Sequence, residues 1–300
     1  VLDNAAMDLG DVPLDRVVAY VKLDGSFDGE RLDLRGAVDM PQGRLDGQEI
    51  THLRAELHKE ADSPRVTVSR LEGNLYGGRL ELDSEGVVIL GQPARYELAV
   101  NLRDVDFQRF LRDGLDLESS VEGGRMSGQF ALWGSGTDAD RVHARVDLQV
   151  REGKLYELPA VIQVLNTLRL GASAKSFEEA DVTMFLRHGS YIFENLELRG
   201  QGLKVHGTGR IDPEGKLNLL LATGSASGGG VLPALRELAE GVRRELVLVE
   251  VTGTTRRPVI EQRNFNTITA PLKELLRLMD ESRKLRDEEQ QRRAANRGKS

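Results

Sequence analysis

The chain has 300 residues, 39% hydrophobic and 30% charged, with a net charge of -7. That is folded-protein composition, lean in core formers, and its acidic balance argues against nucleic-acid binding as the main task, since phosphate contacts draw on clustered Lys and Arg. Cysteine is absent, which rules out disulfides and thiolate metal centres but leaves the compartment open.

No apolar run approaches the ~20 residues needed to span a bilayer, and no cleavable signal peptide is visible. The chain begins at Val1 rather than Met and is read as a piece of a longer protein, with any anchor upstream. High charge with few core formers suits a single-layered sheet with one wet face, which has more surface per residue than a two-layer sandwich.

Residues 1–116 read as strands and turns. Val17–Leu23 reaches an expected turn at Asp24-Gly25, and Phe27 reaches another at Asp28-Gly29. Further turns are expected at Pro41-Gln42-Gly43 and Gly73-Asn74, because Gly, Pro and Asn are the strongest local punctuation. Leu80 and Leu82 alternate with charged residues, as do Leu98 and Val100. Asp106 is the expected N-cap of a short helix over Phe107–Leu111.

The stretch from Val142 to Leu221 organises the rest. Val142, Ala144, Val146, Leu148 and Val150 alternate with polar residues, the period-2 signature of a half-buried strand. After Glu152-Gly153 comes an apolar helix, Pro159–Leu170, with Pro159 in its first turn and Gly171 at its end. It carries Val161, Ile162, Val164, Leu165 and Leu168. Plain packing is the preferred reading of that helix; a cap or gate over a groove is the alternative. Strands resume at Ala180–Leu186, Tyr191–Leu198, Gly202–Ile211 and Lys216–Leu221. Beyond them the sequence predicts a flexible loop to Gly230, a helix over Leu232–Arg244, and strands over Leu246–Thr252 and on to Ile260. A helix from Thr267 decays into a charged tail over Glu281–Ser300. Gly-Gly-Arg segments near Gly78 and Gly124, echoed at Gly207-Thr208-Gly209, suggest a sheet that grows by adding similar units.

Catalytic and metal patterns are weak. The five histidines, His52, His58, His143, His188 and His206, form no ligand-like pair. Asp24–Gly29 partly matches a calcium loop, but Arg35 stands where the bidentate Glu belongs. Gly224–Gly230 lacks the Lys-Ser/Thr of a phosphate loop, and no Gly-x-Ser-x-Gly elbow is present. The expectation is a protein that is not an enzyme, with no metal and no cofactor.

In order, the chain carries a glycine-rich strand (Gly123–Trp133), Glu152-Gly153-Lys154-Leu155, and a Leu-Pro…Gln…Leu-Asn segment at Leu158–Asn166. Phe177-Glu178-Glu179-Ala180, Leu196–Gly200, Gly207–Asp212 and Val251–Thr254 followed by Pro258 complete the set. This order resembles the C-terminal region of the AsmA-like proteins of double-membrane bacteria, over roughly Leu117 to Glu261. The resemblance implies a long curved antiparallel sheet shaped as a trough, capped by a few helices. It further implies a periplasmic location, an inner-membrane anchor missing from this fragment, and a part in moving phospholipid toward the outer membrane, as in the bridge-like lipid-transfer proteins.

The expectation is therefore a mainly β chain. Residues 1–116 form a repeated strand region of the groove, 117–265 the AsmA-like region, and 266–300 a C-terminal helix and tail. The trough lining is predicted by alternation to be Leu80, Leu82, Leu98, Val100, Val146, Leu148, Val150, Ile192, Leu196, Leu198, Leu203, Val205, Leu217 and Leu219. The expected partners are phospholipid, the inner membrane and another envelope protein. The alternative function is a non-enzymatic interaction or spacer module that docks another envelope protein through sheet edges and helices.

Overall fold

The computed structural model describes residues 2–9, 12–28, 31–45, 48–114, 122–136, 138–155, 177–200, 203–225, 248–254 and 257–263, with Arg277, Lys284, Asp287 and Gln291 as single helical positions. The expected helices at Pro159–Leu170 and Leu232–Arg244, and most of the C-terminal helix and tail, lie outside the described residues.

The strands are β1 (Leu2–Leu9), β2 (Val12–Phe27), β3 (Leu32–Leu45), β4 (Gln48–Lys59), β5 (Arg65–Leu75), β6 (Gly78–Ile89), β7 (Arg95–Asp106) and β8 (Gly123–Ser135). They continue as β9 (Val142–Gly153), β10 (Glu179–Arg187), β11 (Ser190–Arg199), β12 (Leu203–Ile211), β13 (Leu217–Ser225), β14 (Leu248–Thr254) and β15 (Arg257–Arg263). All fifteen form one antiparallel sheet in chain order, and β1 and β15 do not meet, so the sheet is open. The expected mainly β architecture holds. The sheet runs without a break past residue 116, since β7 and β8 pair from Arg95 with Ser135 to Asp106 with Arg125.

Three expected turns are strand instead. β2 runs straight through Asp24-Gly25, where Asp24 pairs with Arg35, and this also removes the calcium-loop geometry. β3 runs through Pro41-Gln42-Gly43, with Pro41 at a register shift where its missing N–H costs no ladder bond. β5 passes Gly73-Asn74 and turns at Tyr76-Gly77, whose φ values of 46° and 77° are those of a two-residue hairpin turn. A side chain at Gly25 would put its Cβ 2.2 Å from the Asp33 carbonyl oxygen. That glycine marks close strand approach, not chain reversal.

The connections alternate between two edges of the sheet. One edge carries only short turns, among them His188-Gly189 between β10 and β11. The other carries the three long connections, 107–122, 154–178 and 226–247. On that second edge the chain folds back over the sheet. A short helix, α1 (Phe107–Arg109), continues into a wider turn at Phe110–Gly114. Asp106 caps it as expected, accepting from the Arg109 N–H at 2.9 Å. The Arg109 guanidinium reaches Glu49 at 2.9 Å and lies over the Tyr76 ring. Phe107, Leu111, Leu155 and Phe177 are all buried and belong to one apolar cluster with Val105, Met126, Val150 and Val205. Each of the four contributes roughly 1.5–3 kcal/mol by leaving water.

Candidate functional site

Partners opposite each other in an antiparallel ladder share a face, so the register identifies both faces. One row runs Leu80, Leu102, Gly128, Leu148, Val182, Leu196, Gly207, Leu221, Val249 across β6 to β14. The next runs Leu82, Val100, Phe130, Val146, Met184, Phe193, Gly209, Leu219, Val251, Ile260 from β6 to β15. Neither row contains a polar side chain over these strands; beyond Val249 the first meets Gln262 in β15. Toward the short-turn edge lie Leu98, Leu132, Ala144, Leu186, Tyr191, Ile211 and Leu217. Toward the long-connection edge lie Val105, Met126, Val150, Ala180, Leu198 and Val205.

Most of the predicted lining thus shares one face. Leu80, Leu82, Leu98, Val100, Val146, Leu148, Val150, Leu196, Leu198, Val205, Leu217 and Leu219 all fall on it. Leu203 pairs with Ser225 in the same ladder, but its side chain lies outside the described set. Ile192 is a correction. It pairs with Phe185 and Arg210, on the opposite face, where it and Phe185 form a separate buried pair. A bulge between Phe193 and Leu196 shifts the parity of β11, so Tyr191 and Phe193, not Ile192, stand with Leu196 and Leu198. The Thr208 hydroxyl donates to the Phe193 carbonyl at 2.7 Å at this bulge. The gate helix candidates Val161, Ile162, Val164, Leu165 and Leu168 lie outside the described residues.

Alternation within β10 (Ala180, Val182, Met184, Leu186) was available to find Val182 and Met184. Phe130, Phe193, Val249, Val251 and Ile260 become visible once the ladder is known. Glycines in the rows make room for neighbours: a Cβ on Gly207 would sit 2.4 Å from Leu221 Cδ2, and one on Gly128 would sit 2.8 Å from Leu148 Cδ2. The leucines of one strand lie across the glycines of the next, which smooths the face.

This face is covered unevenly. Val105 and Met126 are fully buried at the long-connection edge, while Leu132 and Tyr191 are 38% and 43% exposed at the other. At the β2–β3 end Val21, Leu23, Phe27 and Leu32 are exposed, Phe27 to 67%. All four pair onto the same face, through Val38, Gly36 and the Phe27–Leu32 pair. Six of the nine exposed large apolar side chains among the described residues stand on this one face. Scattered exposed apolar residues are ordinary; a shared face is informative. Every described strand belongs to the one sheet, so no second sheet among the described residues covers it.

The opposite face is charged and cross-linked. Glu179 accepts from Arg151 at 2.6 Å and from Arg199 at 3.3 Å, and Arg199 also meets Asp181. Glu197 contacts Arg199, Lys204 and His206, the last at 3.1 Å. Arg145 holds Asp147 at 2.8 Å, and the Thr183 hydroxyl donates to the same carboxylate. His206 is buried, and burial pushes its pKa below the usual histidine value, with Glu197 opposing and Lys204 and Arg199 assisting. No group of three or more metal-ligating side chains gathers among the described residues.

No family model, no curated protein and no solved structure matches the chain. The resemblance to AsmA-like proteins therefore rests on the sequence segments alone. Glu152–Leu155 closes β9 and leads into the buried Leu155, Gly207–Asp212 spans β12 and its turn, and Val251–Thr254 ends β14. The Leu158–Asn166 segment lies outside the described residues.

Proposed function

We propose that the chain is a periplasmic lipid-handling scaffold that holds phospholipid acyl chains along the apolar face of its sheet and takes part in phospholipid transport between inner and outer membranes. What supports this is that the face holding the rows from Leu80 to Val249 and from Leu82 to Ile260, with no polar side chain in them, also leaves Val21, Leu23, Phe27, Leu32, Leu132 and Tyr191 exposed. The longer row crosses ten strands, and at a spacing of ~4.8 Å it extends about 43 Å along the sheet. An acyl chain needs only half a bilayer's hydrocarbon core, on the order of 15 Å.

The energetic need is plain. Each CH₂ exposed to water costs ~0.8 kcal/mol, so a two-chain lipid faces on the order of 20 kcal/mol to cross water alone. An even, greasy face lowers that barrier without trapping the lipid, and no catalytic group is required. The anchor and the membrane partners belong to the longer protein that the AsmA-like motifs imply.

Mass spectrometry of a solvent extract from the purified chain tests the proposal. Bound phospholipid is the expected result, and Leu23→Asp, at an exposed position of the face, should reduce it severalfold. A lipid-free protein that forms tight oligomers through its sheet edges would favour the docking module instead.

A further inference from the structure

The charged face holds a feature that lipid handling does not use. Near the short-turn edge of β5 to β9 an open cavity of about 540 Å³ is lined by Arg65, Arg95, Arg141, Trp133, His143 and Glu97, with Val87, Ile89, Tyr96, Gly134, Ser135 and Asp140 around them. That volume falls in the range of small-molecule sites. The ladder explains the layout. Val87, Glu97, Trp133 and His143 are successive cross-strand partners and make the floor. One step nearer the edge, Arg65, Ile89, Arg95 and Ser135 are successive partners too, so two guanidinium groups flank Ile89. The short helical turn Ala139–Arg141 brings in the third arginine.

Two features mark this cluster. Several arginines of this face are matched with a carboxylate, as in Arg70 with Glu56 and Glu72, or Arg145 with Asp147. Arg65 and Arg95 make no ion pair among the described residues, and Arg141 has only Asp138, at 3.8 Å. Against three guanidinium groups the cavity sets two carboxylates, Glu97 and Asp140. The floor is also aromatic: the Trp133 and His143 rings are 6.0 Å apart, and His188 meets His143 edge-on at 5.9 Å. Guanidinium forks match tetrahedral oxyanions, and a flat ring wall suits the less polar body attached to one.

We propose that this cavity binds a phosphate ester, with its anionic group among Arg65, Arg95 and Arg141 and its body against Trp133 and His143. The site stands on the face opposite the trough, so its failure leaves the lipid proposal untouched, and the reverse holds. Trp133 is the single tryptophan of the chain, so its emission reports on the cavity alone.

The test is a fluorescence titration at constant ionic strength with glycerol 3-phosphate, and a parallel one with phosphatidylglycerol vesicles. A saturable change in Trp133 emission is expected, weakened roughly tenfold or more in Arg65→Gln/Arg95→Gln, since each hydrogen bond to a charged group carries such a factor. A response to the soluble ester identifies a free phosphate ester as the ligand; a response to vesicles alone identifies a lipid headgroup. Arg141→Gln provides an independent variant should the double variant lose its β-sheet circular dichroism. No saturable response to either probe, or a response unchanged in both variants, overturns the proposal.

Discussion

Thr208 shows how much a single buried hydroxyl can hold. At the β11 bulge the Thr208 hydroxyl donates to the Phe193 carbonyl at 2.7 Å. Thr208→Val keeps the shape and removes the donor, and a lost hydrogen bond costs about 0.5–1.5 kcal/mol. Urea unfolding should show that loss; an unchanged midpoint would mean that the bulge needs no side-chain support. The same bulge is why Ile192 was misplaced by sequence. Alternation is a two-residue rule, and one extra residue between Phe193 and Leu196 inverts it for everything before. Nothing in Ile192-Phe193-Glu194-Asn195 announces that residue. A second consequence concerns pH. His206 is held below the usual histidine pKa, chiefly by burial, so the unfolded chain takes up a proton that the folded chain resists. Stability is then lost as pH falls through about 6.5 and levels off below the folded pKa. His206→Gln should show a smaller fall in melting temperature from pH 7 to pH 5 than the parent; parallel falls would refute it.

At the scale of elements, α1 is a small piece with several anchors. Its cap, Asp106, was legible because the capping preference is local and chemical. Its position was not. Arg109 meets Glu49 from sixty residues away, and Tyr76 reaches it only because β5 turns at Tyr76-Gly77. Such contacts follow from the ladder and leave no mark in a window of neighbours. The mistaken turns have the same origin: Gly25 and Gly73 satisfy tight strand approach, which looks identical to turn chemistry in the sequence. The anchors predict unequal costs. Asp106→Ala should cost about 1 kcal/mol. Phe107→Ala should cost about 3–5 kcal/mol, since Phe107 packs into the cluster that closes the long-connection edge. Chemical denaturation of both variants checks the order; a Phe107→Ala loss no larger than the cap loss would mean that α1 rests on the sheet without closing it.

Across the whole molecule the sheet presents one apolar face in two conditions. At the long-connection edge it is packed by the chain's own Phe107, Leu111, Leu155 and Phe177; at the short-turn edge and over β2–β3 it meets water. A folding core and a lipid surface are both apolar, so composition and alternation could name the face but not divide it. The division makes a contrast between two positions on the same face. Val146 is 6% exposed and Leu132 is 38% exposed, two residues apart along the ladder, since Val146 pairs with Phe130 and Ala144 with Leu132. A carboxylate forced into the covered site must be desolvated without a partner, so Val146→Asp should unfold the chain or lower its melting temperature steeply. Leu132→Asp keeps its charge in water, so the fold should survive while acyl chains lose a continuous apolar path. Circular dichroism with lipid extraction on both variants separates the two roles. If Leu132→Asp retains the parent's lipid content, the exposed half of the face is bare surface, and only the packed half has a purpose.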